Sequence, residues 1–233
     1  MKICAISDLH GNLSVSVEEC KLLLICGDIL PLSIQTSVGE AQEWIEKKFI
    51  PWCNAQPCEK VILVAGNHDF LFEKHRYLML SCFVGVDKVK YLDCEFFEYK
   101  GLVIYGTPLC KPFGRWAFMP QISEQANLYR KHSGIDKIDI LVSHDTPYGA
   151  SDIILEKDCA WYTEDNIGNT ALREFVELTQ PILHVHGHIH SSNHECEKIG
   201  ETQVYCCSLL NESYDMAYPP LYFDITNGVV KKL

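Results

Sequence analysis

Histidine, aspartate and asparagine side chains that can bind metal ions occur in five short clusters along the chain. Imidazole, carboxylate and amide-oxygen ligands suit borderline or hard divalent ions such as Mn, Fe or Zn, and the clusters contain no thiolate, which disfavours a soft-metal site. One carboxylate can bridge two ions, so the set is large enough for a pair of metals. The seven candidate metal ligands are Asp8, His10, Asp28, Asn67, His144, His186 and His188.

Each cluster directly follows a run of apolar residues that predicts a buried β-strand. The predicted strands span residues 2–7, 22–26, 61–65, 103–105, 138–142 and 182–185. Ligands of α/β proteins bind at the carboxyl ends of the strands, so we expect these polar groups to meet at one edge. The i, i+2 spacing of Asp8 and His10 can place both side chains on one side of an extended strand end. The glycines beside the ligands, which allow sharp turns and close approach of the backbone, are Gly11, Gly27, Gly66 and Gly187.

The segments between and after these strands predict the remaining architecture. Apolar residues at helical spacing predict amphipathic helices over residues 39–49, 123–132 and 169–178. After residue 190, strand-like runs separated by glycine and asparagine turns predict an antiparallel β-meander over residues 195–199, 203–207, 221–225 and 229–231. A series of β-α units that ends in a meander suggests two packed sheets with helices outside, in a single domain spanning residues 1–233.

Composition and charge exclude several classes of protein. Of the 233 residues, 47% are hydrophobic and 22% are charged, which is normal for a folded soluble protein. The net charge of −11 argues against broad nucleic-acid binding and against a polybasic membrane patch. No apolar run reaches the roughly 18 residues of a membrane span, and the first residues do not resemble a signal peptide. We therefore interpret the twelve cysteines as reduced, structural thiols of a cytoplasmic protein.

The five clusters, in their order along the chain, resemble the five sequence blocks of the calcineurin-like metallophosphoesterase superfamily. The blocks are Asp8-Leu9-His10, Gly27-Asp28, Gly66-Asn67-His68-Asp69, Ser143-His144 and His186-Gly187-His188. They extend from residue 8 to residue 188, which is most of the chain. The resemblance implies an α/β fold, a four-layer α/β/β/α sandwich of two mixed sheets flanked by helices.

The resemblance also implies how the ligands are divided between two ions. One ion would be held by Asp8, His10, Asp28 and His188, and the other by Asp28, Asn67, His144 and His186. Asp28 would thus bridge the two ions, and His68 would contact the phosphate and help the leaving group depart without binding metal. Two divalent ions about 3.5–4 Å apart can lower the pKa of a bridging water, and the resulting hydroxide would attack phosphorus.

A further resemblance is to the small metallophosphoesterase-domain subgroup, which is close to the class III cyclic-nucleotide phosphodiesterases. It depends on Gly106-Thr107-Pro108, an aromatic loop over residues 113–118, residues 139–147 and residues 187–190. Ser/Thr protein phosphatases carry an Arg-Gly pair shortly after the Gly-Asp block. Residues 29–33, which follow that block here, contain no arginine.

Three residues outside the metal set are candidates for substrate binding. Asn12 follows the first block and could either contact a phosphate or cap the next turn. His190 could reach the substrate or lie on the rim of the site. Arg115 lies in a long loop over residues 108–120, whose aromatic side chains could stack on a nucleobase or pack as a lid. Weaker candidates of the same kind are Tyr148, Trp161 and Tyr162.

The sequence therefore predicts a dinuclear metal-dependent phosphoester hydrolase. The preferred hypothesis is a phosphodiesterase that acts on a cyclic nucleotide or another small phosphodiester. The alternatives are a phosphomonoesterase or protein phosphatase of the same fold, or a non-catalytic binding scaffold. We expect two divalent ions (Mn, Fe or Zn) as cofactors, a small phosphoester as substrate and a cytoplasmic location, without membrane attachment or broad nucleic-acid binding.

Overall fold

Two β-sheets form the centre of the molecule. The computed structural model describes residues 1–135, 137–160, 162–163 and 165–233. One sheet contains β1 (Lys2–Ile6), β2 (Cys20–Cys26), β3 (Cys58–Val64), β4 (Val89–Tyr91), β11 (Leu221–Thr226) and β12 (Val229–Lys232). The other contains β5 (Glu95–Tyr99), β6 (Leu102–Thr107), β7 (Ile140–Ser143), β8 (Leu183–His186), β9 (Glu197–Ile199) and β10 (Thr202–Cys206). The strand orders are β12-β11-β1-β2-β3-β4 and β5-β6-β7-β8-β10-β9.

Both sheets are mixed, as predicted. Strands β1 to β4 run parallel to one another, and β11 and β12 complete the first sheet in antiparallel pairings. In the second sheet, β6, β7, β8 and β10 are parallel, whereas β5 and β9 lie antiparallel at the two edges. The parallel strands at the centre of each sheet end at the same edge, which is where the predicted ligands are found.

Helices cover the outer faces of the sheets. The three predicted helices are present, and the structure has further helices that the sequence does not predict. The described helices are α1 (Val38–Trp44), α2 (Ile50–Ala55), α3 (Phe70–Lys74), α4 (Arg76–Cys82), α5 (Ile122–His132) and α6 (Thr170–Thr179). A π-helical segment over Ile45–Phe49 joins α1 to α2, next to Pro51, which lacks the N–H of a regular helical hydrogen bond. Asn169 caps α6 by accepting hydrogen bonds from the N–H groups of Ala171 and Leu172, as its position predicts.

Three apolar cores separate the four layers. Along β1, the side chains of Ile3 and Ala5 face the core between the sheets, whereas Ile6 faces the core under α1. This alternation follows from the two-residue period of a strand, and it explains why the strand is apolar on both faces. The third core lies between the second sheet and the helices α5 and α6, where Tyr129 stacks on Phe175. The predicted α/β/β/α sandwich is confirmed.

The C-terminal strands differ from the predicted meander. The hairpin β9–β10 extends the second sheet by pairing β10 with β8, and the hairpin β11–β12 extends the first sheet by pairing β11 with β1. The strand pattern was predicted correctly, but local turn residues do not reveal that the chain changes sheet between residues 206 and 221. Within the described residues, no helix is long and apolar enough to cross a membrane.

Candidate metal centre

The candidate ligands come from five separate strand ends, and those of three strand ends meet around the carboxylate of Asp28. Its Oδ2 atom lies 3.3 Å from Nε2 of His144 and 3.6 Å from Nε2 of His10. The Nε2 atom of His68 lies 4.0 Å from the same oxygen. Asp28 therefore lies between groups that follow different strands of both sheets.

The carboxylate of Asp8 is a second group that several residues of the site contact. The backbone N–H of His188 lies 3.3 and 3.2 Å from its two carboxylate oxygens and donates to them. The Nε2 atom of His190 lies 3.5 Å from Oδ1 of Asp8. Two of the three metal-competent groups among the described residues include Asp8, namely Asp8 with Asp28 and His144, and Asp8 with His10 and His190. Within each group, the donor atoms lie within 4.8 Å of one another.

Asn67 and His186 complete the group of seven. The Oδ1 atom of Asn67 lies 3.0 Å from Nε2 of His144. The Nδ1 atom of His186 lies 3.2 Å from the carbonyl oxygen of Gly187, which leaves Nε2 as the nitrogen available for a metal. The charges of Asp8 and His144 act on this ring. The structure thus brings six of the seven predicted residues together, whereas His186 belongs to none of the metal-competent groups that the described residues form, and the division of the ligands between two ions stays a prediction.

Four of the candidate ligands have backbone conformations that are unusual for residues other than glycine. The φ angle is 57° at Asp8, 41° at His10, 52° at Asp28 and 72° at His188. A non-glycine residue in this region costs of the order of 1–3 kcal/mol, and such strain collects at functional sites. Backbone hydrogen bonds maintain it, because the N–H of Asp8 donates to Gly27 O at 3.1 Å and that of His10 donates to Asp28 O at 2.9 Å.

The buried carboxylate of Asp69 ties two of the ligand-bearing loops together. It accepts hydrogen bonds from the N–H groups of Ile29 and Leu30, which follow β2, and of Gly66, which follows β3. Burial and the charge of Asp28 raise the pKa of Asp69 to about 7, and the three backbone hydrogen bonds oppose this rise. Asp69 therefore positions the loops that carry Asp28 and Asn67.

Gly66 lies so close to Asp28 that a side chain would not fit. A Cβ atom at this position would lie 2.5 Å from the backbone nitrogen of Asp28. We expect Gly66→Ala to lower the free energy of unfolding by the ~1–3 kcal/mol typical of overpacking. We also expect it to weaken metal binding, because the strain displaces Asp28. Denaturant unfolding and metal titration measure the two effects.

Gly39→Ala is the matched control for this substitution. Gly39 lies in α1, and its Cβ position has no atom within 4 Å among the described residues. Alanine in place of glycine within a helix stabilises by roughly 0.5–1 kcal/mol, so this variant should be at least as stable as the wild type. Equal metal affinities for both variants and the wild type would contradict the role of Gly66.

Two histidines of the site are held in the charged form by the two aspartates. Burial lowers the pKa of His144, but the adjacent Asp28 outweighs burial and raises the pKa to about 10. For His190, burial is likewise outweighed by Asp8, and the pKa rises to about 9. The Nδ1 atom of His144 lies 2.8 Å from the carbonyl of Cys26, so the proton facing Asp28 is on Nε2. A cation at this place would therefore replace a proton.

Two other histidines are held neutral, and their nitrogens fit a metal ion. Burial lowers the pKa of His10 and of His186 to about 4. Both ring nitrogens of His10 and Nε2 of His186 are buried without a hydrogen-bond partner in the described part of the chain. A buried polar group left without a partner costs about 1–3 kcal/mol. Together with the two carboxylates, these neutral lone pairs are the donors that divalent transition metals prefer.

His68 lies at the edge of this cluster with its ring fixed from two sides. Its Nδ1 atom lies 2.6 Å from Oε1 of Gln35, which can only accept, so Nδ1 carries a proton. The ring of Trp116 packs against it, with 4.4 Å between the ring centroids. Burial lowers the pKa of His68, although the charge of Asp28 acts in the opposite direction. The Nε2 atom is thus directed to the cluster as a group that can donate or accept a proton.

The three candidate substrate residues are placed differently from one another. The Oδ1 atom of Asn12 accepts hydrogen bonds from the N–H and the hydroxyl of Ser14, which is the turn-capping alternative. Arg115 is exposed in the loop after β6. His190 is buried, and its Nδ1 atom lies 2.9 Å from the carbonyl oxygen of Asn211. It thus lies inside the cluster rather than on its rim, and the substrate roles of all three residues stay predictions.

Two residues near the site were not found from the sequence. Tyr214 packs edge-on against His10 and His190, with ring centroids 4.9 and 5.3 Å apart. It lies in a turn after the last sequence block with a φ of 64°, and no spacing pattern signals it. Gln35 lies in a segment without regular structure and is placed by the fold alone. Trp161, a weaker candidate for stacking, lies outside the described residues.

Comparison with known proteins gives consistent results. A family model for calcineurin-like phosphoesterases matches residues 1–192. The UPF0046 protein C25E10.12 of Caenorhabditis elegans is 31% identical over 97% of this chain and 81% of its own length. Metallophosphoesterase domain-containing protein 1 of Homo sapiens is 27% identical over 96% of this chain and 71% of its own length.

Solved structures share the fold at low sequence identity. The phosphopantetheinyl hydrolase PptH of Mycobacterium tuberculosis has a TM-score of 0.58 and 14% identity, covering 91% of this chain and 90% of its own. The protein TT1561 of Thermus thermophilus has a TM-score of 0.65 and 11% identity, covering 99% of this chain and 97% of its own. These likenesses support the architecture described above.

Two mixed sheets with buried histidines and aspartates at their strand ends define the class of metallophosphoesterases, which are hydrolases of phosphoester bonds. The chain belongs to the calcineurin-like phosphoesterase family, because the family model covers most of its length and a relative is 31% identical over 97% of this chain.

Proposed function

We propose that this protein hydrolyses phosphodiesters at a centre of two divalent metal ions. The observation that carries the proposal is the convergence of groups from five strand ends on the two carboxylates of Asp28 and Asp8. The buried nitrogens of His10 and His186, which have no partner among the described residues, support it further. A binding scaffold has no physical need for such a costly arrangement, so we favour catalysis over a scaffold role.

The chain offers two overlapping ligand sets. One ion would be held by Asp8, His10, Asp28 and His188, and the other by Asp28, Asn67, His144 and His186. When bound, the two ions supply an activated water nucleophile and electrostatic stabilisation of the phosphate oxygens. The Nε2 nitrogen of His144 loses its proton when it becomes a ligand, because that proton occupies the position facing Asp28.

His68 would serve the leaving group. Its Nε2 atom lies 4.0 Å from Oδ2 of Asp28, at the edge of the metal cluster. The hydrogen bond to Gln35 and the contact with Trp116 keep the ring in this orientation. A protonated ring can donate a proton or a hydrogen bond to the departing alkoxide, and a well-placed general acid contributes about 10²–10⁴-fold to a rate.

The charges around the site favour a diester over a monoester. A phosphomonoester carries roughly −1.5 to −2 charges near neutral pH, whereas a diester carries a single charge. Three of the four arginines of the chain, Arg76, Arg130 and Arg173, form ion pairs with carboxylates away from the metal cluster. Arg115 is exposed in its loop. A site with few nearby arginine side chains, which bind doubly charged phosphate oxygens in pairs, suits the less charged substrate, such as a cyclic nucleotide.

Metal loading followed by a substrate screen tests this proposal. We expect about two divalent ions per chain, and hydrolysis of bis-p-nitrophenyl phosphate with Mn, Fe or Zn added. Chelation should remove the activity and, at metal concentrations about 100 times the Kd, also remove roughly 2.7 kcal/mol of stability. Turnover of p-nitrophenyl phosphate or a phosphopeptide alone would favour a monoesterase or a protein phosphatase. Full metal content without hydrolysis of any ester would favour the scaffold.

We also infer that the protein works in the cytoplasm on a small phosphoester, with manganese as the first ion to test. All twelve cysteines are free thiols, which suits a reducing compartment. Fractionation of cells that produce the protein, followed by metal analysis of the material purified without added metal, checks both inferences.

A further inference from the structure

Cys110 is a buried thiol beside two of the candidate metal ligands. It follows β6, which lies next to β7 in the second sheet. Donor atoms of Cys110, His144 and His188 all lie within 4.8 Å of one another. Zinc–sulfur and zinc–nitrogen bonds of about 2.3 and 2.1 Å place two donors of one tetrahedral ion about 3.6 Å apart. The donor atoms of the three side chains lie within 4.8 Å of one another, so sharing an ion would require them to move closer by up to about 1 Å.

The surroundings of Cys110 differ from those of most other buried cysteines. Cys110 belongs to none of the apolar cores that the described residues form. The charges that act on its thiol are instead those of aspartates, including Asp145 and Asp28. The buried cysteines that do pack in apolar cores are Cys4, Cys20, Cys26, Cys53, Cys82 and Cys207. Cys110 thus has the polar environment of a site.

The backbone around Cys110 is fixed by hydrogen bonds on both sides. Its N–H donates to Phe118 O at 2.8 Å, and its carbonyl oxygen accepts from Nε2 of the buried Gln125 at 2.7 Å. The N–H of Lys111 donates to Oδ2 of Asp145 at 2.6 Å. The thiol is therefore held at the edge where the strand ends meet, although the rest of its loop reaches the surface.

The chemistry of the thiol depends on whether a cation is near. Burial raises the pKa of the Cys110 thiol, and the neighbouring aspartates raise it further. The protonated sulfur donates a weak hydrogen bond to Pro108 O, at 3.4 Å. A divalent cation reverses this balance, because a thiol that coordinates a metal is deprotonated outright.

We propose that Cys110 binds one ion of the metal centre through its sulfur, together with His144 and His188. In this group His188 would share the ion of His144, and not the ion of Asp8 and His10 as the resemblance implies. This inference rests on the proposed function, since it needs the metal centre to form. On binding, the S–H bond breaks, the proton leaves to solvent and a sulfur–metal bond forms. A thiolate donor shifts the preference of the centre toward Zn²⁺ and Co²⁺ and away from Mn²⁺. The seven ligands found from the sequence, which include no thiolate, would then be an incomplete set.

Cobalt and zinc report on the sulfur directly. The metal-free protein is titrated with Co²⁺, which gives visible d–d absorption when bound and a near-ultraviolet charge-transfer band when sulfur is a ligand. We expect both signals in the wild type, whereas Cys110→Ser keeps the d–d absorption and loses the charge-transfer band. X-ray absorption of the zinc form should show sulfur at about 2.3 Å in the wild type and none in the variant.

Cys53→Ser is the matched control, because Cys53 is an equally buried thiol in the core under α2. It should keep both cobalt signals. Losing a residue that only hydrogen-bonds to a metal ligand weakens metal binding by ~10–100-fold. We expect Cys110→Ser to weaken zinc binding by at least this factor. Its affinity for Mn²⁺ should change much less. If circular dichroism shows that Cys110→Ser does not fold, Cys110→Ala and the zinc spectrum of the wild type take its place.

The outcomes separate this inference from the proposed function. Cobalt that binds the wild type without a charge-transfer band, or a band that persists in Cys110→Ser, overturns the sulfur ligand and leaves the metal centre standing. A wild type that binds no cobalt overturns the metal centre, and the sulfur ligand with it. A charge-transfer band that is lost in Cys110→Ser but kept in Cys53→Ser, with the cobalt content unchanged, supports the inference.

Discussion

Asp28→Asn is expected to abolish both metal binding and hydrolysis in a chain that remains folded. The Oδ2 atom of Asp28 lies 3.3 Å from Nε2 of His144 and 3.6 Å from Nε2 of His10, so loss of its charge affects both ions. Asparagine keeps the oxygen that accepts the 2.8 Å hydrogen bond from the N–H of His68. The rate should fall by more than the ~10²–10³-fold caused by removing one electrostatic stabiliser. Elemental analysis after dialysis and diester hydrolysis measure the two losses.

Asp152→Asn provides the control for this substitution. Asp152 is as deeply buried as Asp28 but accepts hydrogen bonds from the N–H groups of Gly149 and Gly168, away from the candidate metal ligands. We expect this variant to keep its metals and its rate. The metal-free form of Asp28→Asn should unfold cooperatively, because its backbone contacts remain. Wild-type metal content in Asp28→Asn would rule out the central role of this carboxylate.

His68→Ala is expected to retain both ions and lose rate, by ~10²–10⁴-fold for a substrate with a poor leaving group. The loss should be smaller for bis-p-nitrophenyl phosphate, because p-nitrophenolate departs without a proton. The acid form of His68 is the protonated ring. Since burial lowers the pKa of His68, that form is lost as the pH rises through a value below the usual one. The alkaline decline of kcat for an alkyl diester should therefore disappear in the variant.

Two further variants show whether the loss of rate in His68→Ala is specific to the ring of His68. His75→Ala removes an exposed histidine that follows His68 along the chain, and it should leave the rate and the metal content unchanged. Gln35→Ala removes the partner of Nδ1 of His68, and we expect a smaller loss of rate with the same metal content. An unchanged rate of His68→Ala on a cyclic nucleotide or another alkyl diester would refute the proton-donor role.

The strands and the polar clusters that follow them could be predicted from the sequence because both depend on local patterns. Residues 22–26 of β2 are a continuous apolar run since both faces of the strand are buried there, and the polar Asp28 stands out two residues after its end. The left-handed conformations of Asp8 and His188 could not be predicted in this way. They are imposed by hydrogen bonds to distant segments, and residue type alone would not favour them.

Residues that become neighbours only in the folded protein could not be found from the sequence either. Cys110 resembles an ordinary small apolar residue among twelve cysteines, and only the pairing of β6 with β7 brings it beside His144. Strand β4 has three residues and α3 has five, so neither is long enough to show a period. Their place is decided by packing against the first sheet, which local propensity does not encode.

The pairing of β1 with β11 has a consequence for how the protein is made. β1 ends just before Asp8, but its antiparallel partner β11 follows more than two hundred positions later, at Leu221–Thr226. During translation, one edge of β1 therefore stays unpaired until β11 has left the ribosome, and open strand edges invite aggregation. We expect chaperones of nascent chains to act mainly in this interval, while the edge of β1 is open. Because β1 and β11 are so distant in the sequence, their pairing should also be slow.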